Sequence, residues 1–351
     1  MELAAFAPLP LYGNIILFVL ASVVVWIAGT RLVVYGDSLS DRYNLSRAFI
    51  GLVFLATVTE LPEIATTLTA SIAGNAQLVL GNMFGGVTMQ TAILGVIDLF
   101  FVRNALTSWP RKPTHALEAV LLVVLLNVIL IVSILGEYEV FWGIGLGALS
   151  LAVFYPLIIV LLGKYDKQSP WLPIDIPKGG KNLSSNSGST SIRDRSNKWL
   201  ISHATAASLM ILIAGFTLAN RADMIAEQTG LGSSFVGIAF LAAATSLPEL
   251  STTIAAARMG AYTMAISNIF GSNLIMVALI LPADIAYRKG PILAEIDNLA
   301  QFSIVTGILV STIYVAGILI RRTPKLFGAG VDSILVLTVY FLGLYAAYQL
   351  S

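Results

Sequence analysis

The sequence contains no cysteine and only two histidines, and just 11 % of its 351 residues are charged. The missing cysteine excludes a disulfide-stapled secreted scaffold, and the shortage of Cys and His argues against a zinc site. Charge is nearly balanced, with 20 Lys and Arg against 19 Asp and Glu, so no basic surface indicates a nucleic-acid partner. Apolar residues make up 57 % of the chain, where a soluble domain has about 45–50 %. This composition excludes a soluble globule or a disordered chain and indicates a polytopic membrane protein.

Ten apolar stretches are each long enough to cross a bilayer, which takes about 20 residues of helix. The second, third, seventh and eighth stretches carry Pro, Gly, Asn, Glu or Thr near their middles. Residues 164–198 are the one long polar segment, and they include the linker-like run NLSSNSGST. The sequence therefore predicts an all-α membrane protein of ten transmembrane helices. The predicted spans are residues 12–34, 48–73, 77–101, 116–135, 140–162, 199–220, 233–257, 261–284, 299–320 and 331–350.

The positive charges predict the orientation of these spans. With ten spans, seventeen of the twenty Lys and Arg residues fall on one side, and only Arg221, Arg288 and Lys289 fall on the other. By the positive-inside rule the crowded side is cytoplasmic. We therefore expect an integral plasma (inner) membrane protein with both termini outside and the loop at 164–198 in the cytoplasm. The first apolar run follows no positive region and is long enough to span, so it is predicted to be a retained helix rather than a cleaved signal.

The sequence repeats itself at a constant offset of 186 residues. The segment TELPE at 59–63 corresponds to TSLPE at 245–249, and NMFG at 82–85 corresponds to NIFG at 268–271. Each half contains five predicted spans, and because five is odd the second half enters the membrane from the opposite face. This is an inverted-topology repeat, the architecture of alternating-access transporters. The predicted organisation is a first five-helix repeat at 1–163, a linker loop at 164–198 and a second five-helix repeat at 199–351.

The repeated motif combines a helix break with a carboxylate. Pro62 and Pro248 lie mid-span, where proline frees backbone carbonyls that are tolerated only beside a cavity or an ion. Glu63 and Glu249 follow directly, and hydroxyls lie on the same turns at Thr59, Thr245 and Ser246. Two carboxylates from opposite halves would form a site of charge −2 with hard oxygen ligands. Such ligands suit Ca²⁺ or Na⁺ rather than a soft transition metal.

Other polar residues in the spans lie outside this motif. We expect Asn82, Asn268, Asn273 and Gln90 near the ion path, whereas Asp37, Asp98, Asp223 and Asp284 lie near span ends and are predicted to be interfacial. The glycines of residues 143–147 are predicted to serve helix packing.

These motifs resemble the α-repeats of the cation/Ca²⁺ exchanger superfamily, nearest the Na⁺/Ca²⁺ exchanger branch. The matching stretches, residues 51–94 and 237–280, cover about a quarter of the chain. The resemblance implies that Ca²⁺ is coordinated by the glutamates and threonines of both motifs, Glu63, Glu249, Thr59 and Thr245. It further implies that sodium is bound by Ser246, Ser272 and the carbonyls of Ala56 and Ala242.

The first copy departs from the family pattern. Glu60 stands where the family has Ser, Gly86 stands where it has the Ser of Gly-Ser-Asn, and Gln90 and Met276 replace Asn or Asp. The sodium site of the second copy therefore keeps its oxygens, while that of the first loses a hydroxyl and gains a carboxylate. A third acid this close cannot stay ionised without compensation. Glu60 would carry a proton, bind an additional cation or point away into a polar pocket.

The leading hypothesis is a secondary cation antiporter that exports Ca²⁺ in exchange for Na⁺ or H⁺ at a midplane two-glutamate site. The alternatives are an H⁺-coupled exchanger of Mg²⁺, Mn²⁺ or a monovalent cation, and a transport-inactive ion-binding membrane sensor. No Walker loop, nucleophile pair or hydrolase motif indicates an enzyme or an ATP-driven pump. We expect inorganic cations and the lipid bilayer as partners, no cofactor beyond the transported ions, and no protein partner.

Overall fold

The computed structural model describes residues 9–168, 195–230, 242–321, 324–326 and 329–350. Within these ranges the protein is helical, with eight helices long and apolar enough to cross a membrane, or nine if the bent pair α2–α3 counts as one span. The helices are α1 (Leu11–Tyr43), α2 (Arg47–Thr59), α3 (Leu61–Ile72), α4 (Ala76–Phe101), α5 (Thr114–Leu135), α6 (Leu146–Gln168), α7 (Asn197–Gln228), α8 (Leu247–Arg258), α9 (Tyr262–Ala278), α10 (Ile280–Tyr287), α11 (Asn298–Ile320) and α12 (Val331–Leu350).

The predicted spans agree with these helices in position more than in extent. The span predicted at 48–73 consists of α2 and α3, which meet at a bend of 47°. Helix α8 covers the second part of the span predicted at 233–257, whose beginning, residues 233–241, lies outside the described residues. The count of ten spans therefore stays a prediction.

The linker boundary also differs from the sequence interpretation. Helix α6 continues to Gln168, past the predicted loop start at residue 164. Its last turn is held by Asp166, whose carboxylate lies 3.4 Å from Lys112 Nζ and accepts a hydrogen bond of 3.3 Å from Thr114. Most of the predicted loop, residues 169–194, lies outside the described residues.

The helices α4 and α9–α10 are the most deeply buried of the long helices that the structure describes. In their most apolar windows, 89 % of the α9–α10 residues and 67 % of the α4 residues are buried, against 22 % in α1. Small residues permit this close packing. A Cβ on Gly51 of α2 would lie 2.5 Å from the carbonyl oxygen of Met264, and one on Gly271 of α9 would lie 2.4 Å from that of Leu52. Helices α2 and α9 therefore cross with their backbones in contact.

The helix-packing prediction for the glycine run at 143–147 is wrong for Gly143 and Gly145, which lie in a hairpin, whereas Gly147 lies in the first turn of α6 and packs against Val132 of α5. Strands β1 (Glu139–Phe141) and β2 (Ile144–Gly145) form a short antiparallel hairpin, and Gly143 takes a φ of +79° at its turn. Because that backbone conformation favours glycine, the run ends the connection and α6 starts at Leu146 instead of residue 140. A second hairpin, β3 (Lys325–Leu326) with β4 (Ala329–Gly330), precedes α12 in the same way.

Two aspartates that were predicted to be interfacial are instead buried between the halves. Asp98, which has no exposed surface, accepts hydrogen bonds from the N–H groups of Leu106 and Gly330. Asp284, 2 % exposed, accepts from the N–H groups of Ile292 and Gly145. Each carboxylate thus holds one amide of its own half and one of the other half, at the start of α12 or α6. The interfacial prediction failed because these backbone donors replace water.

Asp37 and Asp223 complete this comparison. Asp37 is buried and pairs with Arg47 at 2.6 Å, so it too is not interfacial. Asp223, at the equivalent position in α7, is exposed, as expected.

Candidate ion-binding site

The first half of the site is built at the bend between α2 and α3. Glu60 occupies the bend with helical backbone angles, and Pro62 lies in the first turn of α3. Proline has no N–H to donate to the preceding turn, so it suits a helix start, and the chain changes direction there. The glutamates on either side, Glu60 and Glu63, are 0 % and 2 % exposed. The break therefore places two carboxylates inside the bundle.

The second half repeats this arrangement with one fewer acid. Residues 242–245 are helical, Ser246 precedes α8, and Pro248 again lies in the first turn. Glu249 has no exposed surface. The local sequence dictates both breaks in the same way, and only the residue at the bend differs, Glu60 in one half and Ser246 in the other.

The two breaks bring three carboxylates together. One oxygen from each of Glu60, Glu63 and Glu249 lies within 4.8 Å of the others. Both oxygens of Glu63 and of Glu249, and one of Glu60, accept no hydrogen bond from any residue that the structure describes. Buried acceptors of this kind are costly unless a ligand or proton satisfies them. The cluster is therefore a candidate cation site.

Hydroxyls from the opposite half face two of these carboxylates. Thr245 lies beside Glu63, and Thr59 lies beside Glu249, so each glutamate meets the threonine of the other repeat. The Thr59 hydroxyl is also 3.3 Å from the Ala56 carbonyl oxygen, and the Thr245 hydroxyl is 3.1 Å from that of Ala242. The carbonyls of Ala56 and Ala242 each also accept a backbone N–H, so these predicted ligands are hydrogen-bonded already.

One flank of the cluster is rich in oxygen. Gln90 Nε2 donates to Glu60 Oε1 at 2.7 Å, and Ser272 lies beside the same carboxylate. The Ser272 hydroxyl is also 3.4 Å from that of Thr59. Asn273 donates to Thr91 at 3.1 Å, and its own carbonyl oxygen accepts no bond from the described residues. Glu60 thus faces inward and is held by an amide from α4.

The other flank is apolar. A Cβ on Gly86 would lie 3.0 Å from the terminal methyl of Met276, so this methionine fills the space that a side chain at position 86 would need. Both residues stand where the sequence comparison leads us to expect oxygen ligands. The two departures from the family pattern are therefore linked: the space left by the small residue at position 86 is filled by Met276.

Two predicted path residues lie apart from the carboxylates. Asn82 lines a crevice of about 40 Å³ that extends to Thr245. Asn268 is fully buried and donates to Thr252 at 3.1 Å and to Thr253 at 3.2 Å. Neither side chain reaches a carboxylate of the cluster through a hydrogen bond that the structure describes.

A buried polar group next to α9 escaped the sequence analysis. Ser267 donates to Glu118 at 2.7 Å and lies 2.9 Å from Nδ1 of His115, and all three are at most 2 % exposed. His115 lies in the first turn of α5, one residue before the predicted span at 116–135. The available signal was the i, i+3 spacing of His115 and Glu118 at the start of an apolar run.

The fold and the site together define a class of protein. A helical bundle in which two helix breaks bring buried carboxylates together fits the class of membrane cation antiporters. The sequence profile described as "Sodium/calcium exchanger protein" matches residues 13–162 and 200–349. The chain therefore belongs to the sodium/calcium exchanger family. This family consists of membrane transporters rather than enzymes.

Individual relatives agree with this assignment. Inner membrane protein YrbG of Escherichia coli is 25 % identical over 88 % of this chain and 89 % of its own length. Sodium/calcium exchanger MaX1 of Methanosarcina acetivorans is 37 % identical over a shorter stretch, 20 % of each chain. Among solved structures, the sodium-calcium exchanger NCX_Mj, soaked with 10 mM Na⁺ and zero Ca²⁺, superposes with a TM-score of 0.68 at 18 % identity. That match covers 96 % of this chain and 99 % of the other, and it supports the fold.

Proposed function

We propose that the protein is a secondary antiporter that exports Ca²⁺ in exchange for Na⁺ entering the cell. The observation that carries this proposal is the buried meeting of Glu63 and Glu249, one from each half, with four carboxylate oxygens that lack a partner in the described part of the chain. One divalent cation neutralises this pair. Its ligands are carboxylate and hydroxyl oxygens, with Thr59 and Thr245 alongside, and such hard ligands favour Ca²⁺ over soft metals.

Coupling follows from the repulsion inside the empty site. Two like charges about 5 Å apart cost about 3 kcal/mol at an effective dielectric constant of about 20. An ionised and empty site is therefore expensive to enclose in the membrane interior. The same carboxylates bind either Ca²⁺ or the driving ions, and the protein changes its open side only when one of these neutralises them. Competition for one site thus produces exchange rather than leak.

An inverted repeat fits the reciprocal contacts between the halves. Asp98 and Asp284 each cap a helix of the other half, and each site glutamate faces the threonine of the other half. Reciprocity of this kind is expected from a pseudo-twofold axis in the membrane plane. It supports two five-helix repeats, residues 1–163 and 199–351, joined by a linker at 164–198.

The charge distribution supports an orientation for this plan. Seventeen of the twenty Lys and Arg residues fall on one side of a ten-span arrangement, which we assign to the cytoplasm of a plasma (inner) membrane. Both termini then face outward, and the loop at 164–198 is cytoplasmic.

A second candidate is exchange driven by protons, and Glu60 is the observation that favours it. One Ca²⁺ balances two of the three carboxylates, so a further positive charge is needed while Glu60 stays in the cluster. On the opposite flank Met276 packs on Gly86, which removes oxygen from a position where the family binds sodium. A proton on Glu60 provides the missing charge without needing other ligands.

Flux measurements distinguish these functions. Purified protein in liposomes loaded with Na⁺ is expected to take up radiolabelled Ca²⁺ when the outer solution lacks Na⁺. Replacing the Na⁺ gradient by a pH gradient tests proton coupling, and Mg²⁺ or Mn²⁺ as competitor tests the cargo. Ca²⁺ binding without uptake under either gradient would identify a sensor and contradict the proposal.

A further inference from the structure

The two halves contain equivalent sets of two threonines and one asparagine, in opposite states. We call Thr66, Thr67 and Asn82 the first triad, and Thr252, Thr253 and Asn268 the second triad; the two sets are related by the offset of 186 residues. Each triad lies where the helix after the break meets the following long helix: α3 and α4 in the first half, α8 and α9 in the second. They are therefore the same structural device on the two sides of the site.

The second triad is closed. Asn268 Nδ2 donates to both Thr252 and Thr253, and all three side chains have no exposed surface. Neighbouring positions on the same helices, Ala256 and Met264, are also fully buried. The described residues of α8 and α9 around this triad are thus closely packed and shielded from the surface.

We call the first triad open, because no hydrogen bond joins its members in the part of the chain that the structure describes. The crevice of about 40 Å³ is lined by its three residues and by Thr245, which lies beside Glu63. The Thr67 hydroxyl has no hydrogen-bond partner among the described residues. Ala70 and Leu78, the counterparts of Ala256 and Met264, are half-buried and line the crevice. The same residue types that are hydrogen-bonded to one another in one half therefore border a crevice in the other.

A neighbouring contact strengthens the difference. Ser267, next to Asn268, is fixed to Glu118 and His115 of α5. Its counterpart in the first half is Gly81, which has no side chain, and residues 300–304 of α11 hold no ionisable group opposite. The closed side thus has an additional attachment that the open side lacks.

We propose that the two triads are the two gates of the transporter, and that they open and close in alternation. In this structure the asparagine–threonine bonds of the second triad close one side, while the first triad, which has no such bonds among the described residues, borders the crevice lined by Thr245, beside Glu63. This inference rests on the proposed transport function, because it assigns gates to that same site. The proposal concerns two arrangements of the triads, one with each triad closed. The equilibrium between them can be measured by thiol labelling, without an ion-flux assay.

The test uses the absence of native cysteine. In otherwise unchanged full-length protein, Ala70→Cys and Ala256→Cys are matched reporters, since each replaces an alanine at equivalent positions of α3 and α8. Purified in detergent, where both faces are accessible, the variants are treated with a polar thiol reagent. We expect fast labelling at position 70 and slow labelling at position 256. If overpacking prevents Ala256→Cys from folding, Leu78→Cys and Met264→Cys are the second matched pair.

The gate bonds are then removed. Thr253→Val, which keeps the shape but removes one acceptor, should speed labelling at position 256 and slow it at position 70, changing their ratio about fivefold, the shift expected for one neutral hydrogen bond. Asn268→Ala, which removes both bonds, should change the ratio about thirtyfold. Thr69→Val is the control, because the exposed Thr69 hydroxyl bonds only within its own helix, to Ala65.

Two results would overturn the inference. Equal labelling at positions 70 and 256 in the unaltered background would contradict a closed second triad. An unchanged ratio in folded Thr253→Val and Asn268→Ala would show that the bonds are structural only. Neither result depends on which ions are exchanged. Failure of the gate inference is therefore read from the labelling ratio, and failure of the proposed function is read from the flux assay.

Discussion

The two halves of the site use the same residues for one task and different residues for another. Both provide a glutamate after a proline and a threonine facing the opposite glutamate, but the bend holds Glu60 in one half and Ser246 in the other. The flank near Glu60 has Gln90 and Ser272, whereas the opposite flank has Met276 packed on Gly86. The shared residues suit cargo binding, and the unshared ones suit the choice of driving ion.

The largest expected effect comes from the shared glutamates. Glu63→Gln or Glu249→Gln leaves the shape but removes one charge from the pair, so Ca²⁺ exchange in proteoliposomes should fall to background. The matched control is Glu118→Gln, a buried glutamate in the same bundle that lies outside the cluster. Full transport in either site variant would contradict the proposal that Glu63 and Glu249 bind the transported Ca²⁺.

The bend residues sharpen the comparison. Glu60→Ser makes the first half match Ser246 of the second and removes the third carboxylate. We expect the ratio of proton-driven to sodium-driven Ca²⁺ flux to fall about tenfold, since a charged group with its hydrogen bond is lost. Gln90→Leu, which removes the amide that holds Glu60, should change the ratio in the same direction by less. An unchanged ratio in Glu60→Ser would mean that Glu60 takes no part in coupling.

Asp98 and Asp284 each accept an N–H group at the start of a helix in the other half, so substituting either one should reduce stability equally. Asp98→Asn and Asp284→Asn each weaken two backbone hydrogen bonds to a carboxylate and place an amide against N–H donors. Each should lower the free energy of unfolding by about 2 kcal/mol. Thermal unfolding in detergent measures this, and a large loss in one variant with none in the other would contradict the symmetry.

The smallest expected effect comes from Asp37 and Asp223, which are at equivalent positions of the two repeats but differ in burial. Asp37→Asn breaks the ion pair with the 40 % exposed side chain of Arg47 and should destabilise the protein by about 0.5 kcal/mol. Asp223→Asn, at the exposed equivalent position, should change nothing measurable in the same unfolding assay. A larger effect of Asp223→Asn would reveal a contact of the exposed carboxylate.

Much of this molecule could be predicted from its sequence because the same proline, glutamate and threonine recur in both repeats. The predicted bend at Pro62 and the meeting of Glu63 with Glu249 depend on local rules and on one symmetry. The burial of Asp98 and Asp284 could not be predicted, since the amides that satisfy them, at Gly330 and Gly145, are more than a hundred residues away. The same holds for the packing of Met276 on Gly86, which depends on how α4 and α9 meet, and for Ser267 between Glu118 and His115, which depends on how α5 and α9 meet.

The most direct test of the central claim is anomalous diffraction from crystals soaked in Ca²⁺ or its heavier analogue Sr²⁺. The account predicts one strong peak bounded by the carboxylates of Glu63 and Glu249 and the hydroxyls of Thr59 and Thr245, and its loss in Glu249→Gln. A peak elsewhere, or none at saturating cation with both carboxylates facing away, would contradict it.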